Sequence, residues 1–161
     1  MTNKLYLKSF GSSSELGFLN GERNFYGVDR ERNEEFAKKY YRESAQKGHA
    51  GSQYMYGYIL TRGIAGNVNV KRGVKYIKKA ARQNYVPAVM ETAKNYYYGF
   101  GVKRSGRKAM SFWKKGADLG SGEANYYLGL CYYKGEFVKK NKLAAEKYFS
   151  IAKENGINLS Y

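Results

Sequence analysis

The chain has 161 residues, 43% of them hydrophobic, and a formal net charge of +16, so it can bury the core of one compact domain or one short repeat array. Its single cysteine, Cys131, excludes an internal disulfide and fits a reducing compartment. The N-terminal stretch MTNKLYLKSFGSSSELGF lacks the apolar core of a signal peptide, and no apolar run reaches the roughly 20 residues that span a bilayer. We therefore expect a cytoplasmic protein with no membrane contact.

The chain repeats with a period of 36 residues, a length typical of helical repeat proteins. Four glycines define the period: Gly27, Gly63, Gly99 and Gly135. Residues that tolerate a left-handed backbone recur at Gly48, Asn84, Gly120 and Gly156. Small residues recur at Gly21, Gly57, Ala93 and Gly129, and again at Ala37, Gly73, Ala109 and Ala145. Good helix N-caps recur at Asn33, Asn69, Ser105 and Asn141. Bulky residues recur at Tyr41, Ile77, Trp113 and Phe149. Six aligned sets without a gap indicate a true repeat.

Each unit is expected to hold two helices. In the first unit, the first helix has the least regular sequence, SSELGFLNGERNFYG, and the second covers residues 34–47. The other first helices are predicted near 52–62, 88–98 and 124–134, each ending at a glycine. The other second helices are predicted near 70–83, 106–119 and 142–155, each starting after an Asn or Ser cap. Pro87 falls where a helix begins, the place where its missing N–H costs nothing.

The pattern therefore predicts an all-α protein, an α-solenoid of about four 36-residue helix-turn-helix units with atypical first and last units. The unit boundaries are 13–48, 49–84, 85–120 and 121–156, followed by a tail at 157–161. No linker interrupts the units, so we expect a single array. The small residues at Gly57 and Gly129 would let paired helices approach closely.

Three stretches resemble the Sel1-like repeat (SLR) family, which is related to tetratricopeptide repeats. They are AGSQYMYGYILTRG, GEANYYLGLCYYKG and GFGVKRSGRKAMSFWKKGADLG. The positions that carry the resemblance are Ala124, Leu128, Gly129, Tyr132 and Gly135, the Gly101–Val102 pair, and Ala109 before Trp113. The family often has an aspartate at the helix cap after the Gly-Val pair. Here Ser105 and Asn141 stand there, which removes negative charge and keeps the cap.

The resemblance implies an adaptor or scaffold for protein complexes, and some family members serve as bacterial immunity or secretion-associated proteins. A penicillin-binding activity proposed for the family belongs to cysteine-rich members with paired helix cysteines. With Cys131 alone, we do not transfer that activity to this chain.

The segment NYYYGFGVKRSGRK, residues 95–108, has the glycines and cations of a phosphate-binding loop. Such a loop follows a β-strand, and none is predicted here. We interpret the segment instead as the corner between two helices, where Gly99 ends one helix and Ser105 caps the next.

No residue pattern in the sequence indicates catalysis. The one histidine, His49, stands in a predicted turn beside Gly48, and Cys131 falls in a predicted helix without a partner for nucleophilic chemistry. Metal-site spacings such as HExxH or CxxC are missing from the sequence. We expect a non-enzymatic protein with no catalytic residues, no metal and no cofactor.

A partner-binding surface is expected on the concave face, which the first helix of each unit lines in related arrays. If Ala124, Leu128 and Tyr132 face the core, the opposite positions vary from unit to unit, as a surface that encodes a partner would. These positions are Met55, Ile59, Arg62, Glu91, Asn95, Tyr98, Tyr127 and Lys134, with Cys131 between the last two.

The second notable surface is basic. Residues 51–120 carry 14 basic and 2 acidic side chains, whereas residues 1–50 carry 9 and 7. The cations concentrate in the second helices and are expected to form a basic ridge of Lys71, Arg72, Lys75, Lys78, Lys79, Arg82, Arg107, Lys108, Lys114 and Lys115. The leading hypothesis is a bacterial protein–protein interaction module for an acidic partner, and in a narrower form an immunity or inhibitor protein. The alternative is nucleic-acid binding through the basic ridge.

Overall fold

The computed structural model describes residues 12–158, and within that range it contains eight α-helices and no strand. The helices are α1 (Ser13–Tyr26), α2 (Glu34–Gln46), α3 (Ala50–Arg62), α4 (Val70–Arg82), α5 (Val86–Tyr98), α6 (Gly106–Asp118), α7 (Gly122–Lys134) and α8 (Lys142–Glu154). The all-α helical repeat fold expected from the sequence is confirmed. No helix within these residues is long and apolar enough to cross a membrane.

The helix ends follow the predicted caps and stops. The second helices α2, α4, α6 and α8 start after Asn33, Asn69, Ser105 and Asn141, whose side chains accept a hydrogen bond from the backbone amide three residues later. The first helices α1, α3 and α7 end at Gly27, Gly63 and Gly135, which have φ angles of 72°, 70° and 73°. This left-handed backbone favours glycine because glycine has no Cβ.

A further left-handed position recurs two residues after each of Gly27, Gly63, Gly99 and Gly135. The residues there are Asp29, Ala65, Gly101 and Phe137, with φ angles of 58°, 54°, 66° and 65°. The sequence suggested this backbone only at Gly101. A left-handed phenylalanine is a conformational outlier, because its Cβ crowds the backbone.

The chain divides between Tyr85 and Val86 into two compact units, each made of two 36-residue repeats. Unit 1 contains α1–α4, and unit 2 contains α5–α8. In unit 1 the core joins α2 and α3 through Ala37, Tyr41, Ala45, Met55, Tyr56, Ile59 and Leu60. In unit 2 the core joins α5, α6 and α7 through Met90, Ala93, Tyr96, Ala109, Met110, Trp113, Ala124, Leu128 and Cys131.

Within each unit, small residues on a first helix face bulky residues on the second helix that follows. A Cβ added to Gly21 would lie 2.5 Å from the Tyr41 ring, and one added to Gly129 would lie 2.5 Å from the Phe149 ring. At Gly57 the neighbour is the backbone of α4 itself, with the carbonyl oxygen of Gly73 2.7 Å from such a Cβ. The predicted close approach at Gly57 and Gly129 is confirmed.

Candidate partner-binding surface

Three residues of the predicted concave face lie in the interior, which corrects their assignment to a surface. Met55 is 8% exposed, Ile59 is fully buried, and Asn95 is 2% exposed. Cys131 is buried as well. None of these side chains can contact a partner in the folded protein.

The reason for this error is that the first helices bury two faces rather than one. Helix α3 packs against both α2 and α4, and α7 packs against both α6 and α8. Residues opposite the face of Ala124 and Leu128 therefore meet another helix instead of solvent. Ile59, for example, joins Ala37 and Tyr41 of α2 in the core of unit 1.

The other residues of the predicted face keep some exposure. Tyr98 is 71% exposed, and Arg62 and Lys134 are exposed at the ends of α3 and α7. The guanidinium carbon of Arg62 lies 5.6 Å from the centroid of the Tyr58 ring. Glu91 is half-buried on α5.

Tyr127 has a packing role that limits its use as a contact. Its ring stacks on Trp113 with a centroid distance of 5.0 Å and an interplanar angle of 8°, and the Lys94 ammonium lies 5.8 Å from its ring centroid. Removing Tyr127 would disturb the core of unit 2. It is therefore a poor choice for a variant that tests binding alone.

An aromatic and charged cluster, which sequence reasoning missed, adjoins Tyr98 through Tyr97 in unit 2. The Tyr97 ring lies 4.8 Å from the Tyr98 ring and 5.7 Å from the Phe137 ring, centroid to centroid. The Arg104 guanidinium lies 5.9 Å from the Phe137 ring centroid and forms a 3.8 Å ion pair with Glu136. The Tyr97 hydroxyl donates a hydrogen bond to Glu136, and burial followed by this bond raises the pKa of Tyr97. The sequence signal was Phe137 at the position where the preceding repeat has Gly101.

The residues of the predicted basic ridge lie on α4 and α6. On α4, five cations are exposed and Lys78 is half-buried; on α6, Lys115 is half-buried while Arg107, Lys108 and Lys114 are exposed. Helix α4 contains no acidic residue, although it has six cations in 13 residues. The two helices belong to different units, and a continuous ridge across them stays a prediction.

Two of these cations lie over tyrosine rings of the neighbouring first helix. Arg72 lies 5.9 Å from the Tyr56 centroid, and Lys108 lies 5.2 Å from the Tyr96 centroid. Tyr56 and Tyr96 are themselves buried. These rings are therefore committed to packing within the protein and do not offer a face to a ligand.

His49 and Cys131, the two side chains considered for catalysis, lie in environments typical of structural residues. His49 is the N-cap of α3, with Nδ1 accepting a hydrogen bond of 3.1 Å from the Ser52 amide, and burial lowers its pKa. Burial raises the pKa of the Cys131 thiol to about 11, which keeps it protonated at neutral pH, whereas a nucleophilic cysteine requires the thiolate. Among residues 12–158, no group of three or more His, Cys, Asp or Glu side chains could hold a metal ion.

The sequence model of the Sel1 repeat matches this chain four times, over residues 14–49, 50–85, 86–121 and 122–157. The chain belongs to the Sel1 repeat family. Each match begins one residue after the start of a 36-residue repeat predicted from the glycine spacing. Sel1 repeats are generally protein–protein interaction modules and non-catalytic scaffolds.

Known proteins with similar repeats come from bacteria and yeast. The crystal structure of a Sel1 repeat protein from Oxalobacter formigenes has a TM-score of 0.85 and 28% identity, covering 89% of this chain and 57% of that protein. The structure of c5321, a protective antigen of uropathogenic Escherichia coli with an SLR fold, has a TM-score of 0.82 and 22% identity, covering 95% of this chain and 32% of that protein.

Among curated proteins, Protein SHC1 of Saccharomyces cerevisiae is 29% identical over 119 residues. This match covers 73% of the present Sel1 repeat chain but only 23% of the yeast protein. The chain thus spans less than a quarter of that relative's length. The similarity is limited to this segment and says nothing about the activity of the whole yeast protein.

Proposed function

We propose that this Sel1 repeat protein is a non-enzymatic interaction module that binds a protein partner through an acidic surface of that partner. The observation that carries the proposal is the charge of α4, which contains six cations and no carboxylate. Such a surface attracts acidic partners and speeds their encounter. A narrower form of the proposal is an immunity or inhibitor protein that occupies an acidic toxin or effector.

Comparison with α2 indicates that folding does not require the charge of α4. The two helices occupy equivalent positions in successive repeats, and both have 13 residues. Where α4 has Lys71 and Lys79, α2 has Glu35 and Glu43. Since the same repeat position tolerates either sign, the uniform positive charge of α4 is free to serve binding.

Residue types that are exposed in unit 2 also suit a protein interface. Tyrosine and arginine dominate the energetics of many interfaces, and Tyr98 is the most exposed large aromatic side chain of the described residues. Its ring contacts Tyr97, which contacts Phe137, and Arg104 lies over the Phe137 ring in unit 2. We assign Tyr98 and the cations of α4 as separate contributors to partner binding.

Affinity capture from the source cell tests the proposal. The tagged wild-type chain is compared with Lys71→Glu/Lys75→Glu on α4 and with Lys39→Glu/Arg42→Glu on α2, which makes the same charge change at exposed positions of unit 1. We expect the α4 variant to capture at least about tenfold less partner than the wild type, equivalent to about 1.4 kcal/mol of binding free energy, while the α2 variant captures as much as the wild type.

A third variant, Tyr98→Ala, tests the aromatic contribution without disturbing the core, because its side chain is 71% exposed. Equal capture of the same proteins by wild type and the α4 variant would contradict the assignment of that helix. Captured proteins without an acidic surface would contradict the partner class.

Nucleic-acid binding through the same cations is the second candidate, and the absence of carboxylates on α4 favours it equally. Base stacking has less support, because Tyr56 and Tyr96 are buried beneath cations of the second helices. If nucleic acid binds, its affinity should fall steeply with salt, and Lys75→Gln/Lys79→Gln should flatten that dependence. No binding to single- or double-stranded oligomers at low salt would remove this candidate.

A further inference from the structure

A groove lies in unit 2 over helix α7, with α6 on one side and α8 on the other. Its volume is about 650 Å³, and Leu128 and Tyr132 of α7 form part of its floor. Lys114 of α6 contributes to one wall, and Lys147 and Ile151 of α8 contribute to the other. The volume falls in the range of about 300–1,000 Å³ typical of sites for small ligands. The groove therefore suits a short segment rather than a folded surface.

Side chains bridge the equivalent place in unit 1, where α3 lies between α2 and α4. Gln83, directly after α4, donates a side-chain hydrogen bond of 2.8 Å to the Gln53 side-chain oxygen of α3. The buried Tyr56 ring makes an edge contact with Tyr76, with a centroid distance of 4.8 Å. Arg72 covers the Tyr56 ring from α4.

Four residues that line the groove of unit 2 are smaller than their counterparts in unit 1, whereas Tyr132 replaces Leu60. At the positions 72 residues later, Leu128 replaces Tyr56 and Ala144 replaces Arg72. Asn125 and Asn155 replace the two glutamines, each side chain shorter by one methylene. The paired positions thus lose the ring, the cation over it and the length that bridges the two helices.

The two asparagines of unit 2 also bond within their own helices. Asn125 Nδ2 donates a hydrogen bond of 3.0 Å to the Ser121 carbonyl oxygen, and Asn155 Nδ2 donates one of 2.9 Å to the Ile151 carbonyl oxygen. Neither side chain spans the groove as Gln53 and Gln83 do in unit 1. The sequence of unit 2 therefore lacks the side-chain bridge that joins the equivalent positions of unit 1.

The lining of the groove defines the chemistry of its occupant. Ala144 and Ile151, both half-buried, offer apolar surface beside the buried Leu128, and the Tyr132 and Tyr148 rings stack at one side with a centroid distance of 5.6 Å and an interplanar angle of 11°. Asp118 is the one acidic residue of the lining.

Lys114 and Lys147 supply a cation on each side of the apolar floor. Both side chains are exposed, and neither belongs to an ion pair among those of residues 12–158. A carboxylate could reach either cation while an aliphatic side chain covers the floor between them. The pairing of an apolar floor with two cations fits an acidic, aliphatic peptide.

We propose that the groove of unit 2 binds a short peptide segment in which aliphatic side chains are flanked by carboxylates. This inference rests on the proposed function, since it specifies a peptide and a place for binding an acidic protein. The cations Lys114 and Lys147 select the carboxylates, and the half-buried Ala144 and Ile151 receive the aliphatic side chains.

Titration of the ¹⁵N-labelled full chain with two blocked peptides tests this binding. The acidic probe is acetyl-Glu-Leu-Leu-Glu-amide, and the basic control is acetyl-Lys-Leu-Leu-Lys-amide. We expect the acidic probe to shift amide resonances of α7 and α8 around Leu128 and Ile151, with an affinity at least about fivefold above that of the basic control, as two exposed ion pairs predict. No shifts around these residues, or equal affinity for both peptides, would overturn the proposal.

A variant that restores the side chains of unit 1 tests the location. Asn125→Gln/Ala144→Arg/Asn155→Gln should close the groove and lower the affinity for the acidic probe at least about tenfold. The matched control Gln53→Asn/Gln83→Asn changes the amide pair of unit 1 and should leave that affinity unchanged. Unchanged affinity in the closing variant would overturn the proposal.

A charge variant keeps the test valid if the closing variant fails to fold. Lys114→Gln/Lys147→Gln leaves the groove open and should abolish the preference for the acidic over the basic peptide. A preserved preference would overturn the role of these cations. Because the titration needs no cellular partner, a failure here is distinguishable from a failure of the α4 variants to lose captured protein.

Discussion

The contact between α3 and α4 yields a quantitative prediction for Gly57→Ala. A Cβ at position 57 would lie 2.7 Å from the Gly73 carbonyl oxygen and 2.7 Å from Ile77 Cγ1. In the reverse direction, a Cβ at position 73 would lie 2.6 Å from the Gly57 carbonyl oxygen. The two glycines therefore allow the backbones of the helices to meet, and a methyl group there must push the helices apart.

Two opposing effects determine how far Gly57→Ala changes the free energy of unfolding. Overpacking a well-packed contact costs about 1–3 kcal/mol, and the upper end applies at Gly57 because the obstructing atoms belong to backbone and to a buried isoleucine. Alanine gains about 1 kcal/mol over glycine in a helix interior. We expect Gly57→Ala to lower the free energy of unfolding of unit 1 by about 2 kcal/mol.

Two other glycines provide matched controls. Gly129→Ala places its Cβ 2.5 Å from the half-buried Phe149 ring, a side chain that can rotate, so we expect a smaller loss. Gly120→Ala meets no atom within 4 Å but has a φ angle of 84°, so only left-handed strain of about 1 kcal/mol opposes it.

Hydrogen exchange of amides in α3 and α4 measures the effect of Gly57→Ala locally, with urea unfolding as a second readout. The expected order of destabilisation is Gly57→Ala above both Gly120→Ala and Gly129→Ala. If Gly57→Ala instead stabilises unit 1, helix propensity outweighs packing and the inferred backbone contact is wrong.

Three further predictions concern His49, Cys131 and Asn141. Because burial lowers the pKa of His49, its contribution to the stability of unit 1 is complete above the unfolded pKa of about 6.5 and decreases as the pH falls below that value. The free energy of unfolding should therefore be lower at about pH 5.5 than at about pH 7.5, and His49→Asn, which keeps a cap acceptor, should diminish this difference. Cys131 should react slowly with iodoacetamide in the native protein and fast after unfolding, and equal rates would refute its burial. Asn141→Ala removes the bond to the Ala144 amide and should cost about 1 kcal/mol, measured by exchange in the first turn of α8, whereas Lys142→Ala next to it should cost little.

The sequence predicted the helices well because caps and stops are local. An Asn or Ser side chain that bonds the amide three residues later fixes a helix start without help from the rest of the fold, as at Asn69 and Ser105. Likewise, Gly63 and Gly135 mark helix ends because the left-handed backbone itself favours glycine. These signals recur every 36 residues, so each one reinforced the others.

The candidate surface was harder to predict because burial depends on which helices meet. The sequence pattern of α3 shows an apolar face, but it does not show that Met55 and Ile59 on the other side meet a second helix. The groove of unit 2 was equally hidden, since replacing Gln53 by Asn125 changes one methylene and keeps the amide. The hydrogen bond between Gln53 and Gln83 shows that the longer side chains bridge the two helices in unit 1, while Asn125 and Asn155 bond backbone carbonyls instead.

Because Trp113 stacks on Tyr127 in the core of unit 2, its fluorescence is a local probe of that unit. Trp113 is the one tryptophan of the sequence, is 1% exposed and belongs to the core of unit 2. Tryptophan emission therefore follows the melting of unit 2 and is blind to unit 1, whereas far-ultraviolet circular dichroism sums over the helices of both. Superimposable melting curves from the two signals would indicate that the units unfold together, and separate midpoints would resolve two transitions in one sample.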